Sequence, residues 1–213
     1  MLTLYDYLPS QNAWKVRQLL RHLGMPHHTE HVSIFEGEGR RDAFLRISPA
    51  GTVPAIVLDD GRALAESNAI LCLLAEGTPY LPGDAFARAR AWQWLSFEQE
   101  RIESQVGALR HWTLTGKLGR RAPGLVDAKR NGARRGLEIL DAQLAARDFI
   151  AGGDYSVADI ALFAYASRAE EADGLSLRPH VHLRAWIDRV RAQPGFLDET
   201  FPYSIDPHST LDL

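Results

Sequence analysis

Ser48-Pro49-Ala50-Gly51-Thr52-Val53-Pro54-Ala55-Ile56-Val57-Leu58-Asp59-Asp60-Gly61-Arg62-Ala63-Leu64-Ala65-Glu66-Ser67 is the stretch on which the fold turns. Val53–Leu58 is an apolar run of strand length, Asp59-Asp60-Gly61 is a turn, and Arg62–Ala65 returns antiparallel, so the stretch reads as a hairpin. Ser67–Glu76 follows as a helix with Ile70, Leu71 and Leu74 on one side. Upstream, Leu2-Thr3-Leu4-Tyr5 is a short strand, broken at Pro9-Ser10-Gln11-Asn12. Ala13, Val16, Leu19, Leu20 and Leu23 then recur at helical spacing, and Gly24-Met25-Pro26 ends that helix. Thr29–Val32 is a weaker strand, Glu36–Arg41 a loop and Asp42–Ile47 a short helix. The order is β-α-β-α-β-β-α. A strand–helix–strand opening requires a parallel pair and a closing hairpin an antiparallel one, so the sheet is mixed, with helices on its faces.

The second half has another period. Gly77–Gly83 carries two prolines and two glycines without periodicity and reads as a linker. From Ala85 to Gln193 the pattern is helical: Ala85–His111, with Trp92, Leu95, Ile102, Val106 and Leu109 at core spacing, then Val126–Leu144, Val157–Ala172 and Leu183–Ala192. The expected fold class is α/β plus all-α: an α/β domain over residues 1–77, a linker over 78–86 and an all-helical domain over 87–213. Of 213 residues, 46% are hydrophobic and 24% charged, a globular balance. Lys+Arg 24 against Asp+Glu 27 leaves a net charge of −3, without the basic bias of a nucleic-acid binder. The single cysteine, Cys72, rules out an internal disulfide, a Cys-x-x-Cys pair and a cysteine zinc site, and favours a reducing compartment. No apolar run approaches the ~20 residues of a membrane span, and no basic region precedes an apolar core at the N-terminus. The expectation is a soluble cytoplasmic protein with neither nucleic acid nor membrane as partner. The eight histidines include no His-Glu-x-x-His. With no Gly-x-Gly-x-x-Gly, phosphate loop or Gly-x-Ser-x-Gly either, no metal and no nucleotide cofactor is expected.

Three places could carry chemistry. Glu66-Ser67 stands between a strand and a helix. Ser67 can serve there as an N-cap; alternatively, the free N–H groups of the helix start and the hydroxyl can hold a carboxylate, with Glu66 taking an ammonium, which suits the zwitterionic end of an amino acid. Ser10-Gln11-Asn12 stands between the first strand and first helix. It can cap, or it can hold a hydroxyl and an amide at a positive helix end that favours a thiolate over a thiol. Pro54 enters a strand where a backbone donor would be missed. Periodicity alone favours a trans bond before it, since cis forms are only ~5–6% of X–Pro bonds.

In order and spacing, these pieces resemble the cytosolic glutathione transferase family. The residues that carry the resemblance are Ser48-Pro-Ala-Gly-Thr-Val-Pro54, Asp60-Gly61, Leu64-Ala-Glu-Ser67 with Ala69-Ile70, and, in the second half, Gly153-Asp-Tyr-Ser-Val-Ala-Asp159. The last is similar to the family's capping box and staple, with Ser156 as N-cap, Asp159 as the reciprocal acid, and Tyr155 and Ile160 as the apolar pair. The order Tyr5, Pro9-Ser10-x-Asn12, Lys15 is most similar to the bacterial Ser/Thr-type members, Nu-like or theta-like.

The resemblance implies a thioredoxin-like N-terminal domain, an all-helical C-terminal domain and a homodimer. It implies glutathione as cosubstrate and transfer to a small hydrophobic electrophile, with disulfide or peroxide reduction, or binding without turnover, as alternatives. It makes a cis Val53–Pro54 bond the expectation, with the Val53 backbone meeting the cysteinyl part of glutathione and Glu66 and Ser67 its γ-glutamyl end. Ser10 is the expected hydroxyl donor to sulfur and Asn12 its helper, with Tyr7 as the other hydroxyl in range. Gly51 and Thr52 stand where several relatives place a Lys or His for the glycyl carboxylate, which leaves Arg40 or Arg41 for that role. Leu8, Leu109 and Trp112 are the expected walls of the electrophile site. Cys72 falls on an apolar helix stripe and reads as core. Trp92, Trp94 and Phe97, close together on one long helix, supply aromatic surface for a second chain.

Overall fold

The computed structural model describes residues 1–212. The chain forms two compact units, Met1–Glu76 together with the segment from Pro194 onward, and Gly77–Gln193. In the first, β1 (Leu2–Asp6), α1 (Gln11–His22), β2 (His27–His31), α2 (Asp42–Leu45), β3 (Ala55–Val57), β4 (Ala63–Ala65) and α3 (Ser67–Ala75) follow in order. The sheet order is β2-β1-β3-β4. β1 runs parallel to β2, pairing Leu2 with His27 through Asp6 with His31, whereas β3 is antiparallel to both β1 and β4. This is the mixed sheet expected from the βαβ opening and the closing hairpin. β2 starts at His27, two residues earlier than its apolar content indicates. As an edge strand of sequence His-His-Thr-Glu-His, it is paired by backbone rather than by hydrophobic alternation.

Leu2, Leu4, Val16, Leu20, Ile56 and Ile70 make one core between the sheet, α1 and α3; Tyr7, Val32, Phe35, Phe44 and Val53 make a second. A fully buried aliphatic side chain is worth about 1.5–3 kcal/mol, so the first cluster seats α1, through Val16 and Leu20, and the start of α3, through Ile70, against the sheet.

The C-terminal segment departs from the sequence-based boundary, which ran the helical domain to residue 213. From Pro194 the chain has no helical period, and its backbone groups find partners on α1. Trp14 Nε1 donates to Leu197 O (3.1 Å). The buried Gln18 amide is used at both ends, donating to Gly195 O (3.1 Å) and accepting from Leu197 N–H (2.7 Å). Phe196 packs against the Trp14 ring, 5.9 Å between centroids.

In the second unit, Asp84 caps α4 (Ala85–Phe97), accepting from Ala87 N–H at 2.9 Å. The helix continues through a π-helical stretch (Glu98–Gly107) into α5 (Ala108–Leu114). α6 (Pro123–Leu144), α7 (Val157–Ala166) and α8 (Val181–Arg191) complete it. α7 is buried along its whole length. The Asp159 carboxylate at its start accepts from Ser156 N–H (3.0 Å), Ser156 Oγ (3.0 Å), Ile150 N–H (2.8 Å) and Trp186 Nε1 (2.9 Å), the capping box expected from the sequence. Trp94 is buried against Phe97 within this unit (5.1 Å between centroids), while Trp92 on the same helix is 50% exposed.

Candidate active site

The strand register brings the singled-out residues of the first unit to one end of the sheet. Ala55 pairs with both Tyr5 and Ala65. One step beyond this row lie Asp6, ending β1, Pro54, preceding β3, and Glu66, following β4. From the same end α1 begins at Gln11 and α3 at Ser67. The loop ahead of β3 is closed by the buried Ser48 hydroxyl, which donates to Thr52 O (2.8 Å) and accepts from Thr52 N–H (3.2 Å). It ends in a cis Val53–Pro54 bond. Gly51 in that loop (φ +69°) and Gly39 lie backbone to backbone; a β-carbon on either would run into the other's carbonyl oxygen. That approach places the turn carrying Arg40 beside the Val53–Pro54 loop. Arg40 itself is exposed and makes no ion pair among the described residues.

Two helix starts meet there, each with positive dipole and unsatisfied N–H groups. At α1, Ser10 is the N-cap, its Oγ accepting from Ala13 N–H at 3.2 Å. That bond uses the oxygen only; the hydroxyl hydrogen has no acceptor among the described residues. At α3, Glu66 holds the N-cap position and Ser67 is the first helical residue, a correction to the reading of Ser67 as the cap. Glu66 has φ +69°, a region non-glycine residues rarely occupy, and its side chain does not cap the helix. The Ser67 hydroxyl turns instead toward α1: it accepts from the fully buried Lys15 Nζ (3.4 Å) and donates to Asn12 Oδ1 (3.5 Å). Ser10, Asn12, Lys15, Glu66 and Ser67 therefore form one polar cluster built on two helix N-termini.

Comparison with known proteins covers the stretch that contains these residues. Residues 9–76 match the family model for the glutathione S-transferase N-terminal domain, and residues 111–194 that for its C-terminal domain. The chain belongs to the glutathione S-transferase family. A glutathione S-transferase of Xanthobacter autotrophicus Py2 superposes with a TM-score of 0.89 at 35% identity, covering 96% of this chain and 99% of that one. A glutathione transferase family member of Pseudomonas fluorescens Pf-5, solved with two glutathione bound, gives 0.80 at 28%, covering 91% and 89%. The disulfide-bond oxidoreductase YfcG of Escherichia coli is 28% identical over 202 residues, 92% of each chain.

Within this glutathione S-transferase chain, other expected residues are placed differently. The Tyr7 hydroxyl, the other candidate donor, is committed: buried, it donates to Asp206 Oδ2 at 2.9 Å. Burial, reinforced by that carboxylate, pushes its ionisation far above the ordinary tyrosine range. Leu109 is fully buried in the core of the second unit and cannot wall a ligand site, a correction to that expectation. Leu8 is half-buried in the loop before Ser10. Trp112 is half-buried in the second unit, with the Arg121 guanidinium 5.4 Å from its ring centroid. Cys72 is partly buried on α3. The sequence reading gave no role to Lys15, Ser48 or Arg17. For Lys15 the available signal was a charge one position from the apolar stripe of α1, which only the arrival of Ser67 turns into a buried site. Among the described residues no group of three or more His, Cys, Asp or Glu could hold a metal, and no helix is long and apolar enough to cross a membrane.

Proposed function

We propose that this chain binds glutathione at the shared start of α1 and α3 and ionises its thiol for attack on a small hydrophobic electrophile. The observation that carries the reading is the uncapped N-terminus of α3 beside the exposed Glu66, a few ångströms from the α1 start through the Ser67–Asn12 hydrogen bond. In this reading the first-turn N–H groups of α3 take the γ-glutamyl carboxylate together with the Ser67 hydroxyl, which exchanges its long bond to Asn12 Oδ1 for the ligand, and Glu66 takes its ammonium. The Val53 backbone at the cis bond pairs with the cysteinyl amide, and Arg40 takes the glycyl carboxylate. The cysteinyl sulfur then lies toward Ser10. A free thiol has a pKa near ~8.5, and each unit of depression requires about 1.36 kcal/mol of preferential thiolate binding. The unused hydrogen of Ser10, the α1 dipole and the Asn12 amide supply it. The electrophile would meet Leu8, in the loop that leads to Ser10.

Disulfide or peroxide reduction by the same thiolate is the second reading. The similarity to YfcG along 92% of the chain favours it, and it needs no change in the glutathione contacts. A homodimer is part of the proposal; Phe86 (73% exposed) and Trp92 (50% exposed) on α4 are apolar surface available for a partner chain. The test is to assay glutathione arylation and disulfide reduction side by side with the wild-type chain and with Ser10→Ala and Ser67→Ala. Glutathione binding with neither activity would leave a binding protein; no glutathione binding would overturn the proposal.

A further inference from the structure

We propose that Arg17 is a positioning residue for the Ser10 hydroxyl, and that the segment beyond Pro194 holds it in place. The inference rests on the reading of Ser10 as the thiol donor and concerns what fixes that donor. Arg17 lies on α1 seven positions after Ser10, with its side chain leaning back toward the helix start, as helical side chains do. Its guanidinium is shared among three stretches of chain. Nη1 donates to both carboxylate oxygens of Asp6, the last residue of β1, at 2.7 and 2.9 Å. Nη2 donates to Leu8 O at 3.2 Å. Nε donates to Glu199 Oε1 of the C-terminal segment at 2.6 Å. The Phe201 ring centroid lies 5.9 Å from the guanidinium carbon. Asp6 is 1% exposed and Arg17 12%, so the pair is shielded from water.

Leu8 belongs to the turn that presents Ser10. That turn is closed by Ser10 N–H donating to Tyr7 O at 2.8 Å, with Leu8 and Pro9 between. It has two further anchors: Leu8 O on Arg17, and the Tyr7 hydroxyl on Asp206. Both lead to the C-terminal segment, one through Glu199 and one directly. Hydrogen bonds weaken steeply as their angle falls below about 120°, so a small rotation of the Leu8–Pro9 turn that carries Ser10 with it takes the Ser10 hydrogen off the sulfur, loosening the cap bond to Ala13 N–H but leaving the sheet in place. A planar fork can serve three acceptors in fixed directions; a lysine ammonium at the same place is a point charge that cannot.

The test uses Arg17→Lys in the full chain, which keeps a cation beside Asp6 but gives up the fork. Glu199→Ala, which leaves the Arg17–Asp6 pair intact, serves if the first variant fails to fold. The ionisation of bound glutathione is followed by thiolate ultraviolet absorbance against pH, together with glutathione affinity and kcat. Expected are a thiol pKa raised by about half to one unit, a loss in kcat at neutral pH of about 3- to 10-fold that recovers as pH rises, and little change in affinity. Placed on Ser10→Ala, the second substitution should add no further pKa shift, because the two act through one hydroxyl. An unmoved thiol pKa in the folded variant overturns the inference. So does an equal shift in the Ser10→Ala background, which would make Arg17 a source of field rather than of position. A merely structural role would lower melting temperature and affinity together and leave the pKa alone. If wild-type chain binds no glutathione, or if Ser10→Ala by itself leaves the thiol pKa unmoved, the reading of the site has failed, and this inference with it.

Discussion

Ser10→Ala and Ser10→Gly separate two jobs of one hydroxyl. The oxygen caps α1 through Ala13 N–H at 3.2 Å, and the backbone sits at φ −69°, ψ 120°, which both replacements adopt without strain. Alanine at an N-cap costs about 1 kcal/mol and glycine only a few tenths. At this chain length the alanine variant should therefore melt about 2–4 °C lower and the glycine variant close to wild type. The hydrogen has a different fate. If it bonds to the sulfur, its loss removes a hydrogen bond to a charged group, worth about 1.5–3 kcal/mol. That converts to a thiol pKa raised by about one to two units and a rate at neutral pH reduced by up to ~100-fold. Both variants should show the chemical loss equally, and it should shrink at high pH, where the thiolate forms without help. Glutathione affinity should change less, because its other contacts remain. Ser10→Cys should not restore the wild-type profile, since a thiol is the poorer donor. The assay is thiolate absorbance and rate against pH on all three variants, with a thermal melt of each. An unmoved pKa in both Ala and Gly variants would reduce Ser10 to a cap. A shift in Tyr7→Phe instead would move the role to a hydroxyl that Asp206 now holds.

At Glu66 the backbone stands at φ +69°; Glu66→Gly should relieve strain of about 1–3 kcal/mol, raising the melting temperature while weakening glutathione binding, and equal affinity would remove Glu66 from the site. Gly39→Ala drives a methyl group against the Gly51 carbonyl; it should destabilise by about 1–3 kcal/mol, as overpacking does, and lower glutathione affinity by displacing the Arg40 turn, both read by calorimetry. Burial pushes the Asp159 carboxyl up to about 6 from 3.8 despite its four donors. A group whose folded pKa is raised stabilises most below its unfolded value, so relative to Asp159→Asn the wild type should lose on the order of 3 kcal/mol as pH climbs from about 3 to about 7; a gain over that window would mean the donors outweigh burial. Light scattering should give about twice 23.7 kDa for the proposed homodimer, and a single-chain mass would contradict it.

What was legible in the sequence was local. The hairpin at Val53–Ala65, the apolar stripe of α1 and the Ser156–Asp159 box each lie within a few residues, where period, turn chemistry and capping act directly. The candidate site residues were legible as types for the same reason: Ser10 and Ser67 stand at strand-to-helix junctions. Their partners were not. Nothing local marks Asp6 and Arg17 as a pair or Glu199 as their neighbour, and nothing near Tyr7 in sequence announces that its hydroxyl is taken by Asp206. Leu109 fits a ligand wall as well as it fits a core, because an apolar residue at helical spacing carries no label saying which. The segment from Pro194 lacks any period, and its place could not be read because it is set by single hydrogen bonds to Trp14 and Gln18, far away in sequence.

The difference between a capping serine and one that reaches a neighbouring helix comes down here to one residue of helix phase. Had α3 begun one position later, Ser67 would be its N-cap, and its oxygen would satisfy an N–H of its own first turn, as Ser10 does on α1. Instead the helix starts at Ser67 and the cap position falls to Glu66, whose side chain forms no capping bond. Two things follow from that shift. The first-turn N–H groups of α3 stay available to an outside acceptor, and the Ser67 hydroxyl, released from its own helix, reaches Lys15 and Asn12 on α1. The positive φ of Glu66 is what allows the chain to leave β4 and enter the helix in this phase, so strain at one residue is exchanged for an uncapped helix start at the next. Glycine at position 66 would make the same turn more comfortably. That a carboxylate is present despite the cost is what the proposed contact with a substrate ammonium accounts for.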